Sequence, residues 1–533
     1  MYLMWQTMVA GATRKGFKSR AMQDAFASIA EERQTRRDHS ARRGLDQLSH
    51  LVVVASIAAS IALLAEASIS LSEKYNLTVK TMFVDMKHLD HHPDSPLHNA
   101  HSTFAERFHI TVMRSSIRAA GFKNILASGI RPRGVNFDSR TQPSAPSSSS
   151  SSFQSPVTAS PGSYIMTISL GTPPQTKTAI VDTGSDLVWL QCAPCSDCYQ
   201  QADPVFEPRK SSTYRRIRYF SPMCGQLPQV SYSSGICTYR YGYGDQSTTQ
   251  GELALETLTL TATDGSNRTF PNFAFGCGRR NQGTFSGVDG LVGLGRGAVS
   301  LNEQLGSLIG SKFSYCLVDV SSSATETSPL IFGDEAVVTG TALQVKYTPL
   351  LRNPAADTFY YVKLNGITVN NRPVADIPWG VFDLNVHTGR GGVILDSGTT
   401  ISQLIHSAYI PFLTTLQYLI QYPRIDSSQI GFDLCYDLSG VRNPSFPSVT
   451  LHFQGVDLVL PANNVFLEVD QQGTTCLAFA GTTDFTIVGN IQQQNHYILY
   501  DIANERVGIA PVKSCARLAT ATPVPRLSSK SDM

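Results

Sequence analysis

A short pattern occurs twice in the chain, at two places that lie far apart. An apolar run ends in Asp182-Thr183-Gly184-Ser185 in one copy and in Asp396-Ser397-Gly398-Thr399 in the other. The two aspartates are 214 positions apart, a spacing that suits a duplicated domain. A single triplet of this kind is expected by chance in about one chain of this length in four, but two copies with matching flanks indicate a repeat. The pattern predicts two similar halves, each of which carries an Asp from a strand into a tight turn.

A second element repeats in the same order. Leu291-Val292-Gly293 follows the first Asp pattern, and Ile487-Val488-Gly489 follows the second. A glycine at each place would let one backbone segment pack closely against the Asp loop. We therefore expect each half to contain an Asp loop with a Gly-ended strand beside it.

The sequence around these motifs is typical of β structure, because short runs rich in Val, Ile, Thr and Tyr alternate with turn residues. Residues 407–422 are the best helix candidate. Charged residues make up only 16% of the 533 residues and the net charge is +2, so nucleic acid is not an expected partner. The best strand candidates are residues 164–170, 178–181, 187–190, 360–369, 393–395 and 496–500.

Residues 1–67 are interpreted as a targeting region. Residues 51–65 are almost wholly apolar and end in Ala65-Glu66-Ala67, a small-x-small pattern that suits signal peptidase. This run is shorter than the about 20 residues of a membrane span, and 50 residues rich in Arg precede it. Three explanations stay open: a mis-assigned start codon in an ordinary secreted protein, an uncleaved membrane anchor through residues 51–65, and an organelle transit peptide.

Residues 68–160, here called the prosegment, are interpreted as a propeptide with a Ser-rich linker. They are polar and rich in His, and they end in the serine run 147–152, which has Pro143, Pro146 and Pro156 around it. Such a run cannot bury a core and is exposed to proteolysis. We therefore expect the mature protein to begin near Ser160.

All ten cysteines lie between Cys192 and Cys515, after the prosegment. This distribution favours disulfides and an oxidising compartment. The triplet Cys192, Cys195 and Cys198 also has a spacing that zinc sites use, but no His or further close Cys pair completes four ligands. We expect disulfides and no metal.

The paired aspartates predict a definite chemistry. Two carboxylates within hydrogen-bond reach share one proton over a broad acidic range, because both cannot ionise comfortably. The ionised member can activate a water molecule while the protonated member donates to a peptide carbonyl, without a cofactor or a covalent intermediate. Ser185 and Thr399, each three residues past its Asp, are suited to hydrogen-bond the carboxylates, or simply to stabilise the turns.

These motifs resemble those of the pepsin-like aspartic proteases, and within them the nepenthesin-type plant subgroup. The resemblance runs from about residue 164 to residue 515. In the prosegment, Phe83-Val84-Asp85 and Asp94-Ser95-Pro96-Leu97 are similar to propeptides of the subgroup. The subgroup motifs of the body are Phe206-Glu207-Pro208, Ser211-Ser212-Thr213-Tyr214, Phe275-Gly276-Cys277-Gly278 and Phe313-Ser314-Tyr315-Cys316.

The resemblance implies a mostly β, bilobal double β-barrel with pseudo-two-fold lobes and a cleft between them. The N-terminal lobe would span residues 161–335 and the C-terminal lobe residues 336–516, followed by a tail, 517–533. The resemblance also implies that Asp182 and Asp396 are catalytic, with Thr183, Gly184, Ser185, Ser397, Gly398 and Thr399 in support. Tyr243 and Gly244 would lie in a flap over the substrate, with Trp189 below it.

The resemblance further implies the pairs Cys192 with Cys195, Cys198 with Cys277, Cys316 with Cys515, and Cys435 with Cys476. Cys224 and Cys237 lose their usual partners, since Tyr219 and a position near Ser231 stand where cysteines are customary. Thirteen positions separate Cys224 from Cys237 in a turn-rich loop, so we predict a fifth, non-standard disulfide. Gln246 also replaces a customary flap glycine.

The sequence thus predicts an aspartic endopeptidase that is made as a zymogen and cleaves polypeptides at acidic pH. A secreted, extracellular or vacuolar monomer is expected, with a membrane-anchored or plastid protein as the alternative location. Asn267-Arg268-Thr269 is an expected N-glycan acceptor. The alternative function is a binding or inhibitor protein on the same fold, similar to xylanase inhibitors, and the two intact Asp motifs weigh against it.

Overall fold

A computed structural model describes residues 82–88, 115, 117–119, 122, 162–261, 266–283, 285, 287–319, 326–336, 343–427, 431–470 and 472–515. All of them belong to one compact unit, Thr78–Met533. The targeting region, the Ser-rich linker and the tail 517–533 lie outside the described residues. None of the helices in the described ranges has the length and apolar character needed to span a membrane.

Strands dominate the first half of the described chain, as the alternation of β-forming runs and turn residues predicts. The longest, β8 and β9, pair along most of their length with two β-bulges, and the N-terminal lobe folds around them. A short helix, α1 (Leu301–Leu305), is capped by Ser300, whose side chain accepts a hydrogen bond from the Glu303 backbone N–H. The strands are β1 (Met82–His88), β2 (Tyr164–Leu170), β3 (Gln175–Asp182), β4 (Trp189–Gln191), β5 (Arg215–Arg216), β6 (Val230–Ser233), β7 (Ile236–Gly242), β8 (Thr248–Thr261), β9 (Asn267–Gln282), β10 (Gly290–Gly293), β11 (Lys312–Cys316) and β12 (Ser328–Phe332).

The second half repeats this architecture with shorter strands and forms the C-terminal lobe. The expected helix is present as α2 (His406–Leu419), and a short α3 (Asn490–Gln493) follows the second Gly-ended strand. The strands are β13 (Lys346–Leu351), β14 (Tyr361–Val362), β15 (Leu364–Val369), β16 (Arg372–Pro373), β17 (Leu384–Asn385), β18 (Arg390–Gly391), β19 (Val393–Leu395), β20 (Ser402–Ile405), β21 (Arg424–Ile425), β22 (Cys435–Asp437), β23 (Val449–Phe453), β24 (Val456–Leu460), β25 (Phe466–Glu468), β26 (Thr474–Leu477), β27 (Phe479–Thr482), β28 (Thr486–Val488), β29 (His496–Asp501) and β30 (Arg506–Pro511).

The two repeated sequence elements lie side by side in each lobe. Strand β3, which ends at Asp182, pairs in parallel with β10, so that Asp182 faces Gly293. Strand β19, which precedes Asp396, pairs in parallel with β28. A Cβ atom at Gly293 would lie 2.3 Å from the Asp186 backbone, and one at Gly489 would lie 2.6 Å from the Thr400 backbone oxygen. The prediction that glycine permits close packing against each Asp loop is confirmed.

An antiparallel sheet joins the lobes beneath the cleft. Among the described strands its order is β1, β12, β11, β29, β30, β13, so that it takes strands from both lobes. The pairing between Phe313 and Tyr500 places their rings 4.6 Å apart and nearly parallel. The first strand, β1, belongs to the prosegment, and its Met86 side chain is buried. The prosegment is therefore built into the fold and not only appended to it.

The disulfides correct part of the predicted pairing. Cys192 bonds to Cys277 and Cys195 bonds to Cys198, so the pairs Cys192 with Cys195 and Cys198 with Cys277 are wrong. The reason is strand pairing: β4 runs parallel to β9, which brings the Cα atom of Cys192 to 5.3 Å from that of Cys277. The remaining predicted pairs are present: Cys316 with Cys515, Cys435 with Cys476, and the non-standard Cys224 with Cys237.

Candidate active site

The two Asp loops present their carboxylates with matching hydrogen bonds. At Asp182, Oδ1 accepts from the Gly184 backbone N–H at 3.0 Å and Oδ2 from the Ser185 hydroxyl at 2.6 Å. At Asp396, Oδ1 accepts from the Gly398 N–H at 2.9 Å and Oδ2 from the Thr399 hydroxyl at 2.5 Å. Both aspartates are fully buried. Four of the six predicted supporting residues, Gly184, Ser185, Gly398 and Thr399, therefore bind the carboxylates directly.

The two Asp loops are also hydrogen-bonded to each other across the lobe boundary. The Thr183 hydroxyl accepts from the Ser397 N–H at 2.9 Å, and the Ser397 hydroxyl accepts from the Thr183 N–H at 3.1 Å. Each hydroxyl lies close enough to donate to a carbonyl of the opposite lobe, at Leu395 and Val181. This reciprocal exchange fixes the distance between the two carboxylates, which shared-proton chemistry requires.

A cation from the prosegment lies between the two carboxylates. The helical residue Arg118 donates from Nη2 to Asp182 Oδ1 at 2.6 Å and from Nε to Asp396 Oδ2 at 3.0 Å. Its side chain is 9% exposed. A planar guanidinium suits this task because its donors are fixed in a fork. The Arg118 guanidinium therefore occupies the space next to both carboxylates.

Electrostatics at the site follow from burial and from Arg118. Burial raises the pKa of Asp182, and the neighbouring Asp396 raises it further, while the charge of Arg118 and the hydrogen bond from Ser185 act in the opposite direction. Burial alone would lower the pKa of Arg118, but attraction to Asp182 and Asp396 outweighs it and raises that pKa above its ordinary value. Without Arg118, the two buried carboxylates would hold a proton more strongly.

Two neighbours of Arg118 anchor the prosegment in the cleft. The Ser115 hydroxyl accepts from the Thr400 backbone N–H at 3.1 Å. The Phe122 ring meets Phe359 edge-on, with ring centroids 4.8 Å apart, and lies 6.1 Å from the ring of Phe485. The Arg118 guanidinium stands 5.0 Å from the centre of the Phe122 ring. The other buried residues of the same hydrophobic cluster are Ala119, Ala356, Tyr361, Ile394 and Ile487.

Trp189, Tyr243 and Gly244, the residues expected at a flap, lie close to one another and to Arg118. The indole N–H of Trp189 donates to the Tyr243 hydroxyl at 2.7 Å, and both rings pack edge-on against Phe285. A Cβ atom at Gly244 would lie 2.3 Å from the Arg118 backbone oxygen, so the flap rests on the prosegment. Gln246 has φ of 66°, a left-handed conformation that favours glycine and explains why glycine is customary there.

Family models match both lobes. The model described as xylanase inhibitor N-terminal matches residues 164–334, and that described as xylanase inhibitor C-terminal matches residues 359–511. The chain is 41% identical over 416 residues to aspartyl protease family protein 2 of Arabidopsis thaliana, covering 78% of this chain and 82% of that one. The chain belongs to the pepsin-like plant aspartic protease family. It is also 40% identical over 365 residues to aspartic proteinase nepenthesin-1 of Nepenthes gracilis, covering 68% and 80% of the two chains.

Solved structures of low identity share the fold of this family member. The crystal structure of edgp superposes with a TM-score of 0.55 at 23% identity, covering 66% of this chain and 94% of that one. Conglutin gamma from lupine seeds superposes with a TM-score of 0.54 at 22% identity, covering 67% and 95%. These likenesses show the bilobal fold.

Sequence reasoning missed two residues of the site. Arg118 lies in a prosegment that contains several arginines, and no motif distinguishes it from the others. Asp186 lies directly after the first Asp motif, and the corresponding position after the second motif is Thr400. That difference between two otherwise matching copies is the signal that could have drawn attention to Asp186.

Proposed function

We propose that the protein is an aspartic endopeptidase that hydrolyses peptide bonds of polypeptides at acidic pH. The observation that carries the proposal is the paired arrangement of Asp182 and Asp396, each held by a backbone N–H and a hydroxyl and both contacted by one cation. Relatives named as aspartic proteases support it.

The reaction would use one proton shared by the two carboxylates. The ionised carboxylate takes a proton from a water molecule as the water oxygen bonds to the peptide carbonyl carbon, and the protonated one gives its proton to the carbonyl oxygen. As this gem-diol intermediate collapses, the C–N bond breaks, the protonated carboxyl gives its proton to the leaving nitrogen, and one hydroxyl of the gem-diol returns a proton to the ionised carboxylate. The dyad ends with one proton, as it began.

The protein would be made as a zymogen. Arg118 pairs with both aspartates, Ser115 and Phe122 bind the cleft on either side of it, and the flap packs against the Arg118 backbone. Acid protonates the dyad, which weakens its attraction for Arg118, whereas arginine itself keeps its charge. Cleavage near residue 160 would then separate the prosegment from the lobes proposed at 161–335 and 336–516.

The proposal extends to the protein's surroundings. Paired cysteines suit an oxidising compartment, and we propose a secreted, extracellular or vacuolar monomer that carries a glycan on the exposed Asn267. The alternative, an inhibitor-like binding protein on this fold, draws on the description of the family models. The complete dyad with both hydroxyl partners favours the protease.

Digestion of an acid-denatured protein at several pH values, with and without pepstatin, tests the proposal. Wild-type protein should cleave at acidic pH, and pepstatin should block it. Asp182→Asn and Asp396→Asn should each abolish cleavage while the folded state persists, because one carboxylate cannot be both acid and base. Near wild-type activity in either purified variant would show that the dyad is not the catalytic centre.

A further inference from the structure

Asp186 breaks the symmetry between the two Asp loops. Four residues after Asp182 the chain carries a carboxylate, whereas four residues after Asp396 it carries Thr400. The proposed chemistry of the dyad does not require this third acid. Its contacts, however, reach three separate parts of the substrate cleft.

The Asp186 carboxylate binds a donor from each lobe. Oδ1 accepts from the Gly297 backbone N–H at 2.8 Å, and Oδ2 accepts from the Thr358 hydroxyl at 2.8 Å. The backbone N–H of Asp186 donates to the Tyr241 hydroxyl at 3.2 Å. Thr358 belongs to the C-terminal lobe, and Tyr241 lies on β7, the strand that leads into the flap.

The surrounding backbone is shaped to receive this carboxylate. A Cβ atom at Gly295 would lie 2.3 Å from Asp186 Oδ1, and one at Gly297 would lie 2.3 Å from Oδ2. Any larger residue would therefore displace the carboxylate. A second hydrogen bond joins the same two segments, because the Arg296 backbone N–H donates to the Thr358 carbonyl at 3.0 Å.

The residues tied to Asp186 adjoin the places that a substrate would touch. Thr358 precedes Phe359, whose ring holds Phe122 of the prosegment. Tyr241 precedes the flap residue Tyr243 by two positions, and their ring centroids are 5.2 Å apart. A shift at Asp186 would therefore move the rim of the C-terminal lobe and the base of the flap, while the hydrogen bonds of the dyad stay intact.

We propose that Asp186 is a positioning residue for substrate binding, which holds the flap strand and the Thr358 rim in register with the first Asp loop. The inference rests on the proposed peptidase function. It assigns Asp186 to the geometry of the cleft and not to proton transfer. Its loss should therefore raise KM more than it lowers kcat.

Activated Asp186→Ala, Asp186→Asn, Thr358→Val and Asp357→Asn variants test this role with one fluorogenic peptide at acidic pH. Titration with pepstatin counts the active molecules, so that a merely unstable variant is not mistaken for a misaligned one. Asp186→Ala should raise KM about tenfold, because two hydrogen bonds are lost. Asp186→Asn should restore most of the affinity, since an amide can accept from Gly297 and donate to Thr358.

Two controls sharpen the outcome. Thr358→Val removes one of the two bonds and should raise KM about threefold, and this variant decides the case if Asp186→Ala does not fold. Asp357 is exposed, and its replacement by Asn should leave KM unchanged. Wild-type cleavage with an unchanged KM in Asp186→Ala or in Thr358→Val would overturn the role of Asp186 alone. A wild type without pepstatin-sensitive cleavage would overturn the proposed function as well.

Discussion

Replacing Arg118 with methionine removes the cation between Asp182 and Asp396 and keeps a long, unbranched side chain. In the wild-type precursor the guanidinium approaches the two carboxylates to 2.6 and 3.0 Å in a buried site. Without it, the dyad can bind a shared proton instead. We expect the prosegment of this variant to leave the cleft far more readily, because both ion pairs to the dyad are lost while contacts such as the Ser115 hydrogen bond and the Phe122 packing remain.

The size of the effect follows from the burial of the ion pairs. Removing one partner of a buried ion pair typically costs about 3–5 kcal/mol, and each 1.4 kcal/mol is about a tenfold change in an equilibrium constant. The fraction of precursor with an open cleft should therefore rise by about two to three and a half orders of magnitude. The open fraction of Arg118→Lys should lie between those of the wild type and Arg118→Met, since an ammonium group is a single point charge without the fork geometry.

The assay follows hydrolysis of a quenched fluorescent peptide by the full-length precursor, in the period before electrophoresis shows any shortened chain. Arg118→Met should give an initial rate about a hundredfold or more above that of the wild type. Arg352→Met is a matched control, because Arg352 is exposed and pairs with the partly exposed Glu505 and not with the dyad. A precursor carrying Arg118→Met that stays as inactive as the wild type would refute the idea that this cation closes the site.

Two further outcomes are expected. Burial raises the pKa of Asp289 to about 8 and that of Glu303 to about 7, so the folded state binds protons more tightly than the unfolded state. The free energy of unfolding should therefore fall as pH rises from about 4 to about 8. The slope of Tm against pH should flatten in Glu303→Gln but not in the exposed control Glu468→Gln. Asn267 is exposed at the start of β9, so glycosidase should increase the gel mobility of protein from a secretory host, and Asn267→Gln should abolish that change; unchanged wild-type mobility would count against glycosylation.

The parts of the site that the sequence predicted are those encoded by local repeats. Asp182, Asp396 and their hydroxyl partners follow from two matching segments, and the Gly-ended strands follow from a second repeat. The predicted pairing of Cys192 with Cys195 failed because a disulfide depends on which strands lie side by side. The parallel register of β4 and β9 brings Cys277 to Cys192, and nothing near Cys192 in the sequence encodes that register.

Long-range contacts explain the other omissions. Arg118 reaches Asp396 across 278 positions, and its role depends on where the folded prosegment enters the cleft. Near Tyr219 and Ser231, where cysteines are customary in the subgroup, the Tyr219 and Tyr232 rings pack edge-on, 5.5 Å apart.

Strand β1 has a consequence for what activation leaves behind. A cut in the Ser-rich linker separates residues 82–88 from the lobes in covalent terms, but five paired positions still bind β1 to β12. The product of one cut is then a two-chain molecule whose smaller chain is retained by non-covalent contacts alone, which include these backbone hydrogen bonds and the contacts of Arg118 and Phe122 with the cleft. Should that chain dissociate, β12 becomes a bare sheet edge with unpaired N–H and C=O groups, and any extended peptide of suitable length can add to it. Loss of the prosegment would then expose the same edge of β12 through which two copies of the protein could associate.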